Sequence, residues 1–263
     1  MDTKRMEETR FSQDDLDMAR RVHRSLLPKR LVNDWIDVDI RYREMQLLGG
    51  DYASIILREG GNLLLTVCDV TGHGLAAALL AGRINSFIRH TVSELSDPCR
   101  VVNDLNAFFF RNFSDLGVFV TFFAVEINPE IREIRYAGCG HPPAILCRRD
   151  DRICHQLASR HGTIGLYPEL TKGCMVEAID YSPGDRLLLY TDGVTEARDQ
   201  DGEFFGVERV EALIQECADL QDSRQVLDQL LQTLGAFRHG DARDDTLAMA
   251  VTLLDQPGDS PHP

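Results

Sequence analysis

Four short segments of this chain each carry an aspartate close to glycine or beside a second aspartate at the edge of an apolar run. They are Leu48-Gly49-Gly50-Asp51, Cys68-Asp69-Val70-Thr71-Gly72-His73-Gly74, Tyr190-Thr191-Asp192-Gly193 and Arg243-Asp244-Asp245-Thr246. A carboxylate at the end of a buried strand is costly unless something pairs with it. Several converging carboxylates repel one another unless a cation lies between them. Hard divalent ions such as Mg²⁺ or Mn²⁺ take oxygen ligands of this type. The neighbouring glycines let water, metal or substrate approach the backbone. Asp-Gly is also a common turn, so any one segment alone reads as a turn. The case rests on four occurring in order, each at a strand end, and the residues by themselves lead to a two-metal hydrolase and no further.

Other chemistries fit less well. The glycine-containing segment after Asp69 matches neither G-x-x-x-x-G-K-[ST] nor G-x-G-x-x-G, which disfavours a nucleotide fold. The formal charge is −14 over 263 residues, and such a surface repels phosphate backbones, so no nucleic-acid partner is expected. The seven cysteines are odd in number and contain no C-x-x-C pair, which argues against a disulfide framework or zinc cage and predicts buried thiols. Residues 1–10 lack an apolar signal-peptide core and no apolar run is long enough to span a membrane, so a cytoplasmic protein without membrane partners is expected.

The elements that must position these acids follow from periodicity. A polar stretch over 1–12 is expected to be flexible, as is the Pro-, Asp- and Gly-rich tail over 255–263. A lead helix over Gln13–Leu27, within a segment 13–30, presents Leu16, Ala19, Val22, His23 and Leu26 on one face and ends at Pro28. Strands are predicted at Ile36–Tyr42, Tyr52–Leu57, Asn62–Val70, Val118–Ile127, Glu133–Ala137, Ala144–Arg148, Cys174–Tyr181, Arg186–Thr191 and Thr246–Leu253. Helices are predicted over Leu75–Leu95, from Pro98 through Phe113, near Val207–Cys217 and over Ser223–Leu234. The order does not alternate βαβα, so 31–254 reads as an α+β domain with two mainly antiparallel sheets between helix pairs.

Taken together, the motifs resemble the bacterial SpoIIE or RsbU-type branch of the protein phosphatase 2C (PPM) family. The likeness runs from about Leu16 to Leu253. It includes Ser25-Leu26-Leu27-Pro28, Gly49-Gly50-Asp51-Tyr52, Asp69-Val70-Thr71-Gly72-His73-Gly74, Phe119-Val120-Thr121, Gly138-Cys139-Gly140-His141-Pro142-Pro143, Tyr190-Thr191-Asp192-Gly193-Val194-Thr195-Glu196-Ala197 and Asp244-Asp245-Thr246. The resemblance implies an α-β-β-α sandwich with two Mn²⁺ or Mg²⁺ ions at one end. It implies that Asp69 bridges both, with the Val70 carbonyl helping to bind one and Asp192 and Asp244 holding the other. Asp51 belongs to the same site, and Asp245 competes with Asp244 for the assignment. The implied reaction is hydrolysis of phosphoserine or phosphothreonine by metal-activated water, with Asp69 and Asp192 as the central catalytic acids. The implied substrate is a phosphorylated regulatory protein, such as an anti-sigma factor antagonist of the STAS type. A catalytically weak binding module is the alternative.

Two positions depart from the family pattern: Ser54 stands where a second acid is common, and Thr71 where many eukaryotic relatives carry histidine. His141 reads as a structural histidine bonded to backbone, His73 as either a residue reaching toward substrate or a solvated loop residue, and Trp35 as a core anchor. Thr121 and Thr195 are expected to support carboxylates. In relatives the lead helix joins a sensor and influences dimerisation. Here packing helix and regulatory switch stay open, with a regulator acting on that helix and a homodimer among the expected partners.

Overall fold

The computed structural model describes residues 12–91, 97–170 and 174–255. Two antiparallel sheets face each other. The first has the order β1 (Leu31–Val32), β2 (Ile36–Arg43), β11 (Thr246–Leu253), β10 (Arg186–Tyr190), β7 (Ala144–Cys147), β8 (Cys154–Leu157). The second has the order β3 (Tyr52–Leu57), β4 (Leu63–Val70), β5 (Val120–Asn128), β6 (Glu133–Cys139), β9 (Glu177–Asp180). Helices α2 (Leu75–Thr91) and α3 (Pro98–Phe113) cover the second sheet. Helices α5 (Gly206–Glu216) and α6 (Ser223–Phe237) cover the first. The expected α-β-β-α sandwich is the observed architecture.

The strand alternation explains the layers. In β4, Leu63, Leu65 and Val67 face the space between the sheets, whereas Leu64, Cys68 and Val70 face α2 and α3. In β11, Leu247, Met249, Val251 and Leu253 point between the sheets and Ala248 and Ala250 point at α5 and α6. Strands buried on both faces read as continuous apolar runs, which is why these two are the most legible in the chain. Trp35 is partly buried and packs against the inter-sheet core, as expected. Helix α3 begins where the sequence dictates: the Asp97 carboxylate caps the Cys99 amide at 2.8 Å and Pro98 occupies the first turn.

The lead helix α1 (Gln13–Leu26) starts with a capping box between Ser12 and Asp15. Its inner face carries Leu16, Ala19, His23 and Leu26, but Val22 is 56% exposed and leaves the expected stripe. Arg24 grips the Glu44 carboxylate through two hydrogen bonds at 2.7 and 2.9 Å. An apolar cavity lined by Leu16, Ala19, Leu48 and Leu75 lies beneath the helix.

Several expectations need correction. The strand expected from Val118 begins at Val120, and that expected over Cys174–Tyr181 contracts to Glu177–Asp180. Strands β1 and β8 are too short to show a pattern. The cysteines are not all thiols: Cys99 pairs with Cys174 and Cys147 with Cys154, leaving Cys68, Cys139 and Cys217 free and buried. Scattered spacing hid these pairs because the fold, not the sequence, makes them neighbours. The residues expected to fray at 1–11 and 256–263, and the continuation of α2 to Leu95, lie outside the described residues. No helix among the described residues is long and apolar enough to cross a membrane.

Candidate active site

The inter-sheet face extends past the strand ends and turns acidic. Side chains two apart share a face of a strand. Asp69 therefore continues the face of Leu65 and Val67, and Asp51 that of Ala53. Thr191 continues the face of Leu187 and Leu189, and Asp245 that of Leu247 and Met249. Asp51 and Asp69 come from the second sheet, while Asp192, Asp244 and Asp245 come from the first. All lie at one mouth of the sandwich, with Asp192 opening the single-turn helix α4 (Asp192–Thr195) that follows β10.

Hydrogen bonds tie the two sheets together here. The Thr191 hydroxyl donates to Asp51 Oδ2 at 2.7 Å and accepts from the Leu247 amide at 3.1 Å. Asp245 accepts from the Met45 amide through Oδ1 at 2.8 Å and from the Gly50 amide through Oδ2 at 2.9 Å. Both of its oxygens therefore hold the loop that carries Asp51. Asp244, by contrast, is exposed and directs Oδ1 only to the Asp245 amide at 2.8 Å.

Glycine is required at two of these positions by close approach. A Cβ on Gly193 would run into the Asp245 main-chain carbonyl. A Cβ on Gly50 would come within 2.8 Å of the Val70 carbonyl oxygen, the atom expected to help bind a cation.

The electrostatics show mutual repulsion on top of burial. Asp51 is held well above the ordinary carboxylate range by burial first and by Asp69 second. Asp69 is pushed up to about 7 by burial and then by Asp192, Asp244 and Asp245. Asp192 rises to about 6 through burial, Asp244 and Glu196. Burial raises Asp245 too, opposed by the Met45 and Gly50 amides. A divalent cation is the group that relieves such repulsion, and the all-oxygen donor set suits Mg²⁺ or Mn²⁺. The residues present fit the metals that the fold family implies.

Sequence reasoning placed some supporting residues wrongly. Thr121 does not reach a carboxylate: its hydroxyl lies 2.8 Å from His141 Nδ1. The Thr195 hydroxyl donates to the Asp192 main-chain carbonyl at 3.2 Å, not to a side chain. Thr191 is the threonine that holds a carboxylate, and the strand alternation that places Leu187 and Leu189 inward is the sequence signal for it. Glu196 is an extra charge acting on Asp192, and no motif spacing marks it. Ser54 is fully buried and pairs with Thr66 at 2.7 Å, away from the acidic face. His73 is exposed, which fits the solvated-loop reading. His141 is buried and neutral, its pKa lowered to about 3 by burial. Ser159 clasps its backbone, accepting from the amide at 3.1 Å and donating to the carbonyl at 2.7 Å.

The family profile described as Stage II sporulation protein E (SpoIIE) matches residues 59–254. The chain belongs to the SpoIIE family. Among relatives, this SpoIIE-family chain is 28% identical over 183 residues to the phosphoserine phosphatase RsbP of Bacillus subtilis, covering 68% of the chain and 45% of RsbP. It is 24% identical over 235 residues to the phosphoserine phosphatase RsbU of the same organism, covering 86% of the chain and 68% of RsbU. It thus spans less than half of RsbP. Its fold matches the SiaA PP2C domain of Pseudomonas aeruginosa with a TM-score of 0.78 at 20% identity, covering 92% of this chain and 96% of that one. The resemblance read from the motifs is thereby borne out at the level of family and fold.

Proposed function

We propose that the chain is a metal-dependent protein serine/threonine phosphatase. The observation that carries this reading is the convergence of Asp51 and Asp69 from one sheet with Asp192 and Asp244 from the other, with Asp69 and Asp192 raised towards neutrality. Asp69, Asp192 and Asp244, with the Val70 carbonyl and Asp51, would hold two Mn²⁺ or Mg²⁺ ions. When bound, such ions supply activated water and neutralise charge on a phosphoryl group. Asp245 serves the site as an anchor for the Asp51 loop, because both its oxygens already accept backbone amides. Thr191 fixes the rotamer of Asp51. The buried cysteine beside Asp69 takes no part: burial raises the Cys68 thiol, so it stays protonated.

The relatives named phosphoserine phosphatase support a phosphoserine substrate, and a regulatory protein of the STAS type is the substrate we propose. A regulator or second copy acting through α1 fits its thin packing on α2. Mn²⁺-dependent hydrolysis of p-nitrophenyl phosphate tests the chemistry. Asp69→Ala and Asp192→Ala should each lower turnover at least about a hundredfold. Activity that survives both substitutions and metal chelation would sink the reading. Partner binding without turnover in the unaltered protein would identify the binding module instead.

A further inference from the structure

Beside the acidic mouth, a cavity of ≈120 Å³ is lined by Gly193, Arg198, Arg238, His239, Arg243 and Asp244. It shares Gly193 and Asp244 with the candidate metal centre, so a group bound there lies next to the reacting phosphoryl group. Small-molecule sites occupy about 300–1,000 Å³. This cavity suits one short side chain.

Its lining carries three guanidiniums and three carboxylates, those of Glu196, Asp241 and Asp244. None of Arg198, Arg238 and Arg243 forms an ion pair among the described residues, although Glu196 and Asp241 line the same cavity. Two are held in place by uncharged contacts. Arg198 lies over the Phe204 ring, 4.1 Å from its centroid, and donates to the Gly202 carbonyl at 3.1 Å. Arg238 donates to the Gly193 carbonyl and the Thr246 hydroxyl, each at 3.3 Å, which joins α4 to the start of β11. Arg243 is exposed and makes no hydrogen bond among the described residues. Arg43 adds a further positive charge near Arg238. Each guanidinium carries five N–H donors in a planar fork, so most donors here remain unused. In a chain with a net charge of −14, unpaired arginines collected in one cavity are a place for an anion. The contacts that hold Arg198 and Arg238 reduce the ordering cost of binding one.

We propose that this cavity is a specificity subsite that receives the carboxylate side chain of an acidic residue near the phosphoserine of the substrate protein. The proposal rests on the phosphatase reading for its substrate but not for its recognition chemistry. Arg243 and Arg198 contact the carboxylate, while Arg238 positions the two segments that form the cavity floor. The subsite gives an acidic enzyme a local means of attracting an acidic substrate segment.

The test uses paired phosphoserine peptides that differ by one Glu or Gln, walked from five residues before the phosphoserine to five after it. Turnover is read as kcat/KM and binding as fluorescence anisotropy of labelled peptides. The wild type should prefer Glu over Gln at one or two offsets by about tenfold, as for a charge-assisted hydrogen bond. In Arg243→Gln, and more fully in Arg198→Gln/Arg243→Gln, the ratio should fall to near one. Each ratio is taken within one variant, so a general loss of activity cancels. Equal handling of Glu and Gln peptides at every offset would overturn the proposal, as would a preference that survives the double substitution. p-Nitrophenyl phosphate, which carries no flanking residue, reports on the metal centre separately. If it is not hydrolysed, the phosphatase reading fails, and the anisotropy ratio still decides the subsite.

Discussion

The Thr191 hydroxyl lies 2.7 Å from Asp51 Oδ2, and the two residues belong to opposite sheets of the sandwich. This bond fixes an otherwise repelled carboxylate at the place where the sheets meet. Removing it should loosen the proposed metal centre without unfolding the protein. Thr191→Val is expected to weaken Mn²⁺ affinity or activity by about 10- to 100-fold, the range for residues that orient metal ligands. Thr191→Ser keeps the hydroxyl and should recover most of it. Titration of activity against Mn²⁺ concentration checks both. A Val variant with unchanged metal dependence would contradict this role.

Asp244 and Asp245 should separate in a direct comparison. Asp244→Ala should weaken metal binding and leave the melting temperature of the metal-free protein unchanged or higher, because it relieves repulsion on Asp69 and Asp192. Asp245→Ala strands the Met45 and Gly50 amides and should lower that melting temperature, at a cost of about 1–3 kcal/mol per unpaired group. Thermal denaturation with and without Mn²⁺ distinguishes the two patterns.

Much of this was legible in the sequence, and the reason lies in strand burial. β4 and β11 are buried on both faces, so their apolar runs and the acids at their ends stand out. The Asp69 and Asp192 motifs were readable for the same reason. What stayed hidden depends on long-range contact. The Asp245 carboxylate bonds to an amide 195 positions away, and no spacing rule reports that. The Cys99–Cys174 pair bridges 75 positions. Thr121 lies directly across from Asp69 in the β4–β5 register, yet its hydroxyl turns to His141, a choice that no residue spacing reports.

Stability should depend on pH in a direction set by the acidic cluster. Asp69 near 7 and Asp192 near 6 bind protons more tightly in the folded protein than in the unfolded chain, where such groups titrate near about 4. Their contribution to the metal-free fold is complete below about pH 4 and is lost as pH rises through 6 to 7. The metal-free melting temperature should therefore fall between pH 5 and 8, with a shallower fall in Asp69→Asn/Asp192→Asn. Mn²⁺ replaces the protons, so its stabilising effect should be larger at pH 8 than at pH 5. Melting curves across this range with chelator and with Mn²⁺ test the point; an identical slope in wild type and variant would refute it.

Two glycines predict opposite outcomes for the same substitution. Gly193→Ala forces a methyl group against the Asp245 carbonyl and should cost about 1–3 kcal/mol, with loss of activity. Gly235, within α6, has open space around it, and Gly235→Ala should stabilise by about 0.4–1 kcal/mol. Denaturant titration measures both differences.

Strand β11 is the last strand among the described residues, yet it lies in the interior of its sheet, between β2 and β10. Asp244 and Asp245 directly precede it. During synthesis, the ribosome releases every other acid of the cluster before this strand is available to pair. Until it inserts, β2 and β10 present open edges and the Asp51 loop has nothing to hold its amides. Gathering of the acidic cluster is thus coupled to closure of the sheet: without β11 the first sheet loses an interior strand, and the Asp51 loop loses its anchor at Asp245.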